Sequence, residues 1–309
     1  MAGQLWATST QGGYLYSPLL TKEVTAQAQP DMKCHQFCEL REAWGKNAGE
    51  TFLFDKYGNI DTQGGTLVET ATIPARGHRF YQSTCTLKEY GNSIPFTRKY
   101  ESLGQVGVRS PIVNALKNDY AKVIDTAVEA QFDRAKIRYV GTATNGGAFT
   151  TNGTATATNT SIAMDTFHVK EIVDYLYNDM KAEPYDGDNY MALCAMAAKR
   201  DIYDDVEDIL QYTKYPASGE FGRYYDCRFV KTNHALSNTE GKNSNVGEAY
   251  FFGAGGGPVL EGVAIAPEII PKEVTDFGRS RGLAWYMISG YEIFWQADPD
   301  NNIVKWCSA

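Results

Sequence analysis

The residues best spaced for metal chemistry are Cys34, His35 and Cys38, which lie close together in the first fifth of the chain. Thiolate and imidazole are ligands that zinc prefers, but a structural zinc site uses four ligands in paired clusters. No second Cys or His pair follows downstream at such a spacing. We therefore predict no metal site and interpret these thiols as packed side chains.

Paired carboxylates could supply a general acid and a general base, which is the chemistry of many hydrolases. The candidate pairs are Glu50 with Asp55 and Asp204 with Glu207. The second pair belongs to an acidic group that on a helix would spread over the solvated face. The pattern favours a solvated surface, and a cytosolic carboxylate-dependent hydrolase stays open as an alternative function.

The densest glycine stretch runs from Gly253 to Pro258. A phosphate-binding P-loop needs a Lys and a Ser or Thr after its glycines, whereas Pro258 and Val259 stand there. We interpret the stretch as a hinge formed by Gly253, Gly255, Gly256 and Gly257. The four histidines stand in no serine-hydrolase or zinc-protease motif, so we predict no catalytic residue and no cofactor.

The elements that would position any site begin with an extended arm rather than a compact core. After residues 1–49, which mix small and polar residues with a short helical pattern from Pro30 to Trp44, alternating segments predict hairpins. The predicted strands are Thr51 to Tyr57, Thr66 to Ile73, Phe80 to Tyr90 and Ser93 to Thr97, and Gly91-Asn92 is among the turns between them. An isolated hairpin is barely stable in water, so another subunit must cover this arm.

Large aromatic side chains give the arm its contact area. We predict that these residues contact a neighbouring subunit: Phe52, Phe54, Tyr57, Phe80, Tyr81 and Tyr90.

A single long helix follows the arm, from Ser110 as N-cap to Arg138. Apolar residues recur three and four positions apart through its length, and Gly141 stands just beyond its cationic last turn. Such a helix would be roughly 40 Å long, which is enough to span a subunit. A lone long helix behind an extended arm is typical of a subunit that completes its packing against neighbours.

The remainder of the chain predicts an α+β body. Gly141 to Ala163 is a surface loop by composition, Asp165 caps a second helix, and a third helix runs through Ile202 and Leu210. The predicted strands are Asn189 to Met196, Leu283 to Ile288, Tyr291 to Trp295 and Ile303 to Trp306, with a tight turn at Asp298 to Asn302.

Composition narrows the class of protein. The 309 residues are 43% hydrophobic, which is enough for a large core, and the formal charge of -8 argues against a protein that coats nucleic acid. No apolar stretch is long enough to cross a membrane, and no secretion signal is present, so we expect assembly in a cytoplasm. Six scattered cysteines predict reduced, packed thiols.

Four strings carry a resemblance to a known family: Gly49 to Phe52 (GETF), Asp188 to Leu193 (DNYMAL), Ser218 to Asn233 (SGEFGRYYDCRFVKTN) and Arg281 to Trp285 (RGLAW). Together with the order of elements over the whole chain, they resemble the major capsid proteins of tailed bacteriophages with the Hong Kong 97-type fold. The resemblance implies an N-terminal arm (1–49), an E-loop (50–104), a peripheral domain (105–162) with a spine helix (110–138), an axial domain (163–257) and return strands (258–309).

The same resemblance implies a structural protein of the virion, assembled in the host cytoplasm. Its partners would be copies of itself in hexamers and pentamers, decoration or scaffolding proteins and a portal, and double-stranded DNA enclosed without sequence-specific binding. Bacterial encapsulin compartments resemble this architecture too, so an encapsulin-like shell is the alternative with the same fold.

Overall fold

The computed structural model describes residues 33–41, 49–57, 64–70, 72–75, 77–78, 80–104, 107–155, 162–195, 198, 202, 220–233, 248–254, 258–273, 276–293 and 303–307. Within them the fold is α+β, as predicted. The α-helices are α1 (Arg98–Leu103), α2 (Arg109–Asp133) and α3 (Thr166–Asp174). The strands are β1 (Cys38–Arg41), β2 (Thr51–Tyr57), β3 (Phe80–Thr86), β4 (Lys88–Thr97), β5 (Ile137–Ala143), β6 (Gly146–Thr150), β7 (Tyr190–Ala195), β8 (Glu220–Tyr224), β9 (Cys227–Thr232), β10 (Ala249–Phe252), β11 (Val259–Pro271), β12 (Ser280–Ile293) and β13 (Ile303–Cys307).

The strands form three sheets. A four-stranded sheet has the order β1-β11-β12-β4, a seven-stranded sheet has the order β6-β5-β13-β10-β7-β9-β8, and β2 pairs with β3 alone. The seven-stranded sheet takes strands from three of the predicted segments, because β5 and β6 precede residue 163 and β13 lies in the C-terminal segment. The predicted domain boundaries remain predictions.

Helix α2 is the predicted spine, and it lies between the two larger sheets. Its buried residues Ile112, Leu116 and Phe132 share one core with Trp285 of the four-stranded sheet and Phe252 of the seven-stranded sheet. Twenty-five residues give a length of roughly 38 Å. The helix therefore holds the two sheets in one body.

Both predicted ends of the spine helix are wrong. Val108 is the N-cap in place of Ser110, and the helix ends at Asp133 instead of Arg138. Ile137 to Val140 pair in parallel with Val304 to Cys307 of β13, so tertiary hydrogen bonding converts the predicted last turn into β5. Arg138 is buried there and donates to the carbonyl oxygens of Ala155 (3.0 Å) and Asp133 (3.2 Å).

The seven-stranded sheet is covered on both faces. Alternate residues of β10 divide between two cores: Tyr250 and Phe252 face α2, whereas Ala249 and Phe251 face the core that contains α3. Strands β7, β10 and β13 are buried along their whole length, as is usual for central strands with two covered faces.

Helix α3 begins where the sequence predicted, at Asp165. A capping box joins Asp165 to His168, in which the Asp165 N–H donates to His168 Nδ1 at 3.1 Å. The helix continues into one π-helical turn, Tyr175–Asp179. The buried side chain of His168 therefore helps to cap α3. The helix predicted after Asp165 is confirmed.

Several local predictions fail and others hold. The Thr66 to Ile73 strand is wrong, because the described residues of that segment form no strand, and Gly91-Asn92 lies inside β4 instead of in a turn. The surface loop predicted from Gly141 to Ala163 is wrong in part, because this segment contains the end of β5 and all of β6. For the helical pattern predicted from Pro30 to Trp44, the described residues form a 3-10 turn followed by strand β1. The strands at β2, β7 and β13 are confirmed. The third helix, apart from Ile202, and the Asp298 to Asn302 turn lie outside the described residues.

All six cysteines are free, as predicted, and five of them are buried.

Candidate functional site

Strands β2 and β3 form an antiparallel ribbon that carries most of the predicted contact residues. Its register runs from Thr51 opposite Thr86 at the base to Tyr57 opposite Phe80 at the far end. The base lies on the body of the subunit, whereas the far end projects into solvent. We call this ribbon with residues 64–78 the arm.

The base of the arm packs on the four-stranded sheet. Phe52, Cys85 and Leu87 form a small core, against which Phe54 and Ile288 pack. Glycines permit this approach: a Cβ at Gly290 would lie 2.7 Å from Cys85 Sγ, and a Cβ at Gly262 would overlap the Phe52 ring. Burial raises the pKa of the Cys85 thiol to about 12, so the thiol is neutral.

The far end of the arm exposes aromatic and aliphatic side chains. Tyr57 is 74% exposed and Phe80 is 77% exposed, and the ring of His78 lies 5.9 Å from the first and 4.7 Å from the second, between centroids. Leu67, Val68 and Ile73, in the segment between the two strands, are each more than half exposed as well. Exposed apolar side chains in this number make the far end of the arm a candidate interaction site.

The six predicted contact residues therefore divide into groups. Tyr57 and Phe80 are exposed at the far end, whereas Phe52 and Phe54 pack against each other at the base, with ring centroids 4.8 Å apart. Tyr90 lies off the ribbon, in β4, half-buried against Tyr291. The side chain of Tyr81 lies outside the described residues. The contact role of all six residues remains a prediction.

The sequence analysis did not predict three further exposed apolar side chains. Ile269 and Ile270 are about 40% exposed at the distal end of β11, and Phe277 is fully exposed in the turn before β12. Asp276, Phe277 and Gly278 all have positive φ (53°, 52° and 81°), which L residues adopt rarely. The Asp-Phe-Gly string was the available signal for this turn.

Only Gly253 of the predicted hinge lies among the described residues. A Cβ there would overlap the Glu183 carbonyl oxygen, to which the Ala254 N–H donates at 2.8 Å. This end of the glycine run is thus held by close backbone packing. The hinge role of Gly255, Gly256 and Gly257 remains a prediction, since they lie outside the described part of the chain.

Two of the residues considered for chemistry have structural partners. Asp55 accepts a hydrogen bond from Gln82 Nε2 at 2.8 Å on the exposed arm, and His35 Nε2 lies 2.9 Å from Glu261 Oε2. The described residues hold no group of three metal-binding side chains. The pair Asp204 and Glu207 lies outside them. In the same described regions, no helix is long and apolar enough to cross a membrane.

One cavity of about 320 Å³ lies between residues 33–36 and helix α2. Its acidic lining residue, Asp125, accepts the backbone N–H groups of Cys34 (2.8 Å) and His35 (3.2 Å). This carboxylate anchors a chain segment, and neither Glu50 nor Asp55, the described acids proposed for a hydrolase, lines the cavity.

Comparisons with solved structures return phage capsids that match almost the whole chain. The head structure of Helicobacter pylori bacteriophage KHP40 matches with a TM-score of 0.66 and 12% identity, covering 94% of each chain. The capsid of Ralstonia phage GP4 matches with a TM-score of 0.67 and 11% identity, covering 95% of each. The capsid of cyanophage P-SCSP1u matches with a TM-score of 0.66 and 10% identity, covering 96% of this chain and 94% of that one.

No protein-family model and no curated protein matches the sequence. The structural likeness establishes the fold: the chain has the Hong Kong 97-type fold, as the sequence resemblance implied.

Proposed function

We propose that this chain is the major capsid protein of a tailed bacteriophage, which assembles as hexamers and pentamers into an icosahedral head around double-stranded DNA. The observation that carries this proposal is the fold likeness to phage capsid chains over about 95% of both chains. The role is structural rather than enzymatic, and the place of the protein is the virion, after assembly in the host cytoplasm.

The arm supports the proposal because its far end is built for a partner. A lone subunit leaves Tyr57, Phe80 and the aliphatic side chains of residues 67, 68 and 73 in water, whereas a neighbouring copy would cover them. Aromatic side chains give large contact area and have few rotatable bonds to immobilise, so they suit repeated interfaces. The base of the arm is fixed on the subunit body, which allows the far end to reach outward in a defined direction.

In this proposal residues 50–104 form the E-loop, of which the arm is the projecting part, and α2 forms the spine of the peripheral domain, to which the return strands β11, β12 and β13 come back. Helix α3 and strands β7 to β10 belong to the axial domain. Decoration or scaffolding proteins and a portal are further partners. The acidic balance of the chain fits DNA that is enclosed without sequence-specific contacts, because repulsion keeps such DNA mobile.

Deletion of Asp55 to Arg79 tests the arm as the contact between copies. We expect a folded subunit that forms no closed shell, as seen by circular dichroism and by electron microscopy of the purified full-length and deleted chains. Normal shells from the deleted chain would refute the role of the arm.

DNA content separates the phage head from an encapsulin-like compartment with the same fold. Particles taken from cells that make this protein with its native partners should contain nuclease-protected double-stranded DNA. Particles that instead enclose a protein cargo, with no protected DNA, would favour the compartment.

A further inference from the structure

Helix α2 carries a row of three carboxylates on the face that packs against the rest of the subunit. Asp125, Glu129 and Asp133 are four residues apart, so they lie along one side of the helix. The first two are almost completely buried, at 1% and 7% exposure. Buried carboxylates are rare unless they have partners, so the contacts of this row indicate what it does.

Each carboxylate holds a different part of the chain. Asp125 accepts the N–H groups of residues 34 and 35, which lead into β1. Asp133 forms an ion pair with Lys305 of β13, whose side chain is completely buried. Glu129, between them, accepts the hydroxyl hydrogen of Tyr250 of β10 at 2.9 Å. The row therefore ties α2 to both the N-terminal segment and the seven-stranded sheet.

Glu129, the middle carboxylate of the row, lies where an ionised side chain is disfavoured. Burial raises the pKa of Glu129 to about 7, and the negative charges of Asp133 and Asp125 act in the same direction. The hydrogen bond from Tyr250 and the charge of Lys305 act in the opposite direction. Lys305 also lies 3.5 Å from Glu248, which is completely buried, so its charge is shared among carboxylates.

Tyr250 and Cys34, two uncharged titratable side chains near Glu129, do not ionise in its place. Burial raises the pKa of Tyr250 well above its ordinary value, and burial raises that of the Cys34 thiol in the same way. Both side chains therefore keep their protons near neutral pH.

We propose that Glu129 is a proton-dependent latch: its protonated carboxyl keeps α2 packed on β10, and loss of that proton loosens the contact between the spine helix and the seven-stranded sheet. Val128 and Phe132, which flank Glu129 on α2, belong to the core that joins both sheets to this helix. An ionised carboxylate in that core must recruit water, and the entry of water disturbs the packing of α2 on the sheet. The latch is a property of one subunit, so it does not depend on the proposed capsid function.

Hydrogen exchange of the full-length chain measures the latch directly. Exchange is followed by mass spectrometry at about pH 5.5 and about pH 8.5, on either side of the titration, with the intrinsic pH dependence of exchange divided out. For peptides that contain residues 125–133 or 249–252, we expect protection to fall roughly tenfold or more at the higher pH, since each pKa unit is worth a factor of ten. The Glu129→Gln variant should show no such fall, and the exposed-site control Glu273→Gln should behave like the wild type.

A second variant keeps the test decisive if Glu129→Gln does not fold. Tyr250→Phe removes a hydrogen bond that favours the ionised carboxylate, so the loss of protection should move to higher pH. The proposal is overturned if wild-type protection of these peptides is independent of pH, if Glu129→Gln keeps the wild-type fall, or if Tyr250→Phe leaves its midpoint unchanged.

Discussion

The ring of Phe52 lies directly against the backbone of Gly262, so that β2 of the arm meets β11 of the subunit body where a side chain is missing. Phe52 is 7% exposed, although it belongs to a ribbon whose far end projects into solvent. This contact anchors the arm to the four-stranded sheet.

Replacement of Gly262 by Ala should weaken that anchor. The added methyl group would overlap the Phe52 ring, and overpacking of this kind costs about 1–3 kcal/mol. We expect a lower free energy of unfolding by denaturant titration. Gly107→Ala is the matched control, because a Cβ there meets nothing within 4 Å. Equal stability of the two variants would show that the ring does not occupy this position.

Phe132 should be essential for the joint core of α2 and the two sheets. It is completely buried, with its ring centroid 5.6 Å from that of Tyr250 and 5.3 Å from that of Phe252. Phe132→Ala should lower the free energy of unfolding by about 3–5 kcal/mol, through lost burial and a cavity. Thermal unfolding that matches the wild type would contradict this placement of the spine helix.

Tyr57 and Phe80 should matter for association instead of for stability. Both side chains are more than 70% exposed, so the Tyr57→Ala and Phe80→Ala variants should unfold like the wild type, within about 0.5 kcal/mol. We expect them to form fewer or less stable particles, as measured by light scattering at matched concentration. Particles that form and dissociate as the wild type does would remove the far end of the arm from the interface.

The pair His35 and Glu261 should make stability depend on pH. The hydrogen bond with Glu261 raises the pKa of His35 above 6.5, while burial opposes this rise. The folded state then binds the proton more tightly, so the stabilisation is complete below pH 6.5 and is lost as pH rises through the folded pKa. The melting temperature of His35→Ala should therefore fall below that of the wild type most at acidic pH. A difference that is larger at alkaline pH would contradict the bridge.

The elements that could be predicted are those whose sequence signals lie within the element itself. The spine helix, the Asp165 cap and the buried strand β7 all follow from periodicity, capping residues or a short apolar run. The end of α2 could not be predicted, because the partner that turns Ile137 to Val140 into a strand lies more than 160 residues away in β13. Local propensity contains no information about that pairing.

The role of two strand glycines could not be predicted either, because it depends on residues far away in the sequence. The Gly91-Asn92 pair predicts a turn, but Gly91 lies in β4, close to β12. A Cβ on Gly91 would lie only 2.8 Å from the Trp285 carbonyl oxygen. Gly147 in β6 likewise makes room for the Tyr139 ring. In both cases the missing side chain serves packing between strands, which becomes visible only when the neighbouring strand is known.

For the candidate site, only the residue composition follows from the sequence. The aromatic content of the arm was evident from the sequence, but the division between the buried Phe52 and the exposed Phe80 depends on which residues reach the four-stranded sheet. The role of Glu129 could not be predicted, because its hydrogen-bond partner Tyr250 is 121 residues away.

Electron microscopy of the purified full-length chain, combined with sedimentation at increasing concentration, tests the central claim most directly. We predict closed shells of one uniform diameter, or hexamers and pentamers that close into shells when the other head proteins are added. A monomer that persists at high concentration and in the presence of those proteins would contradict the account.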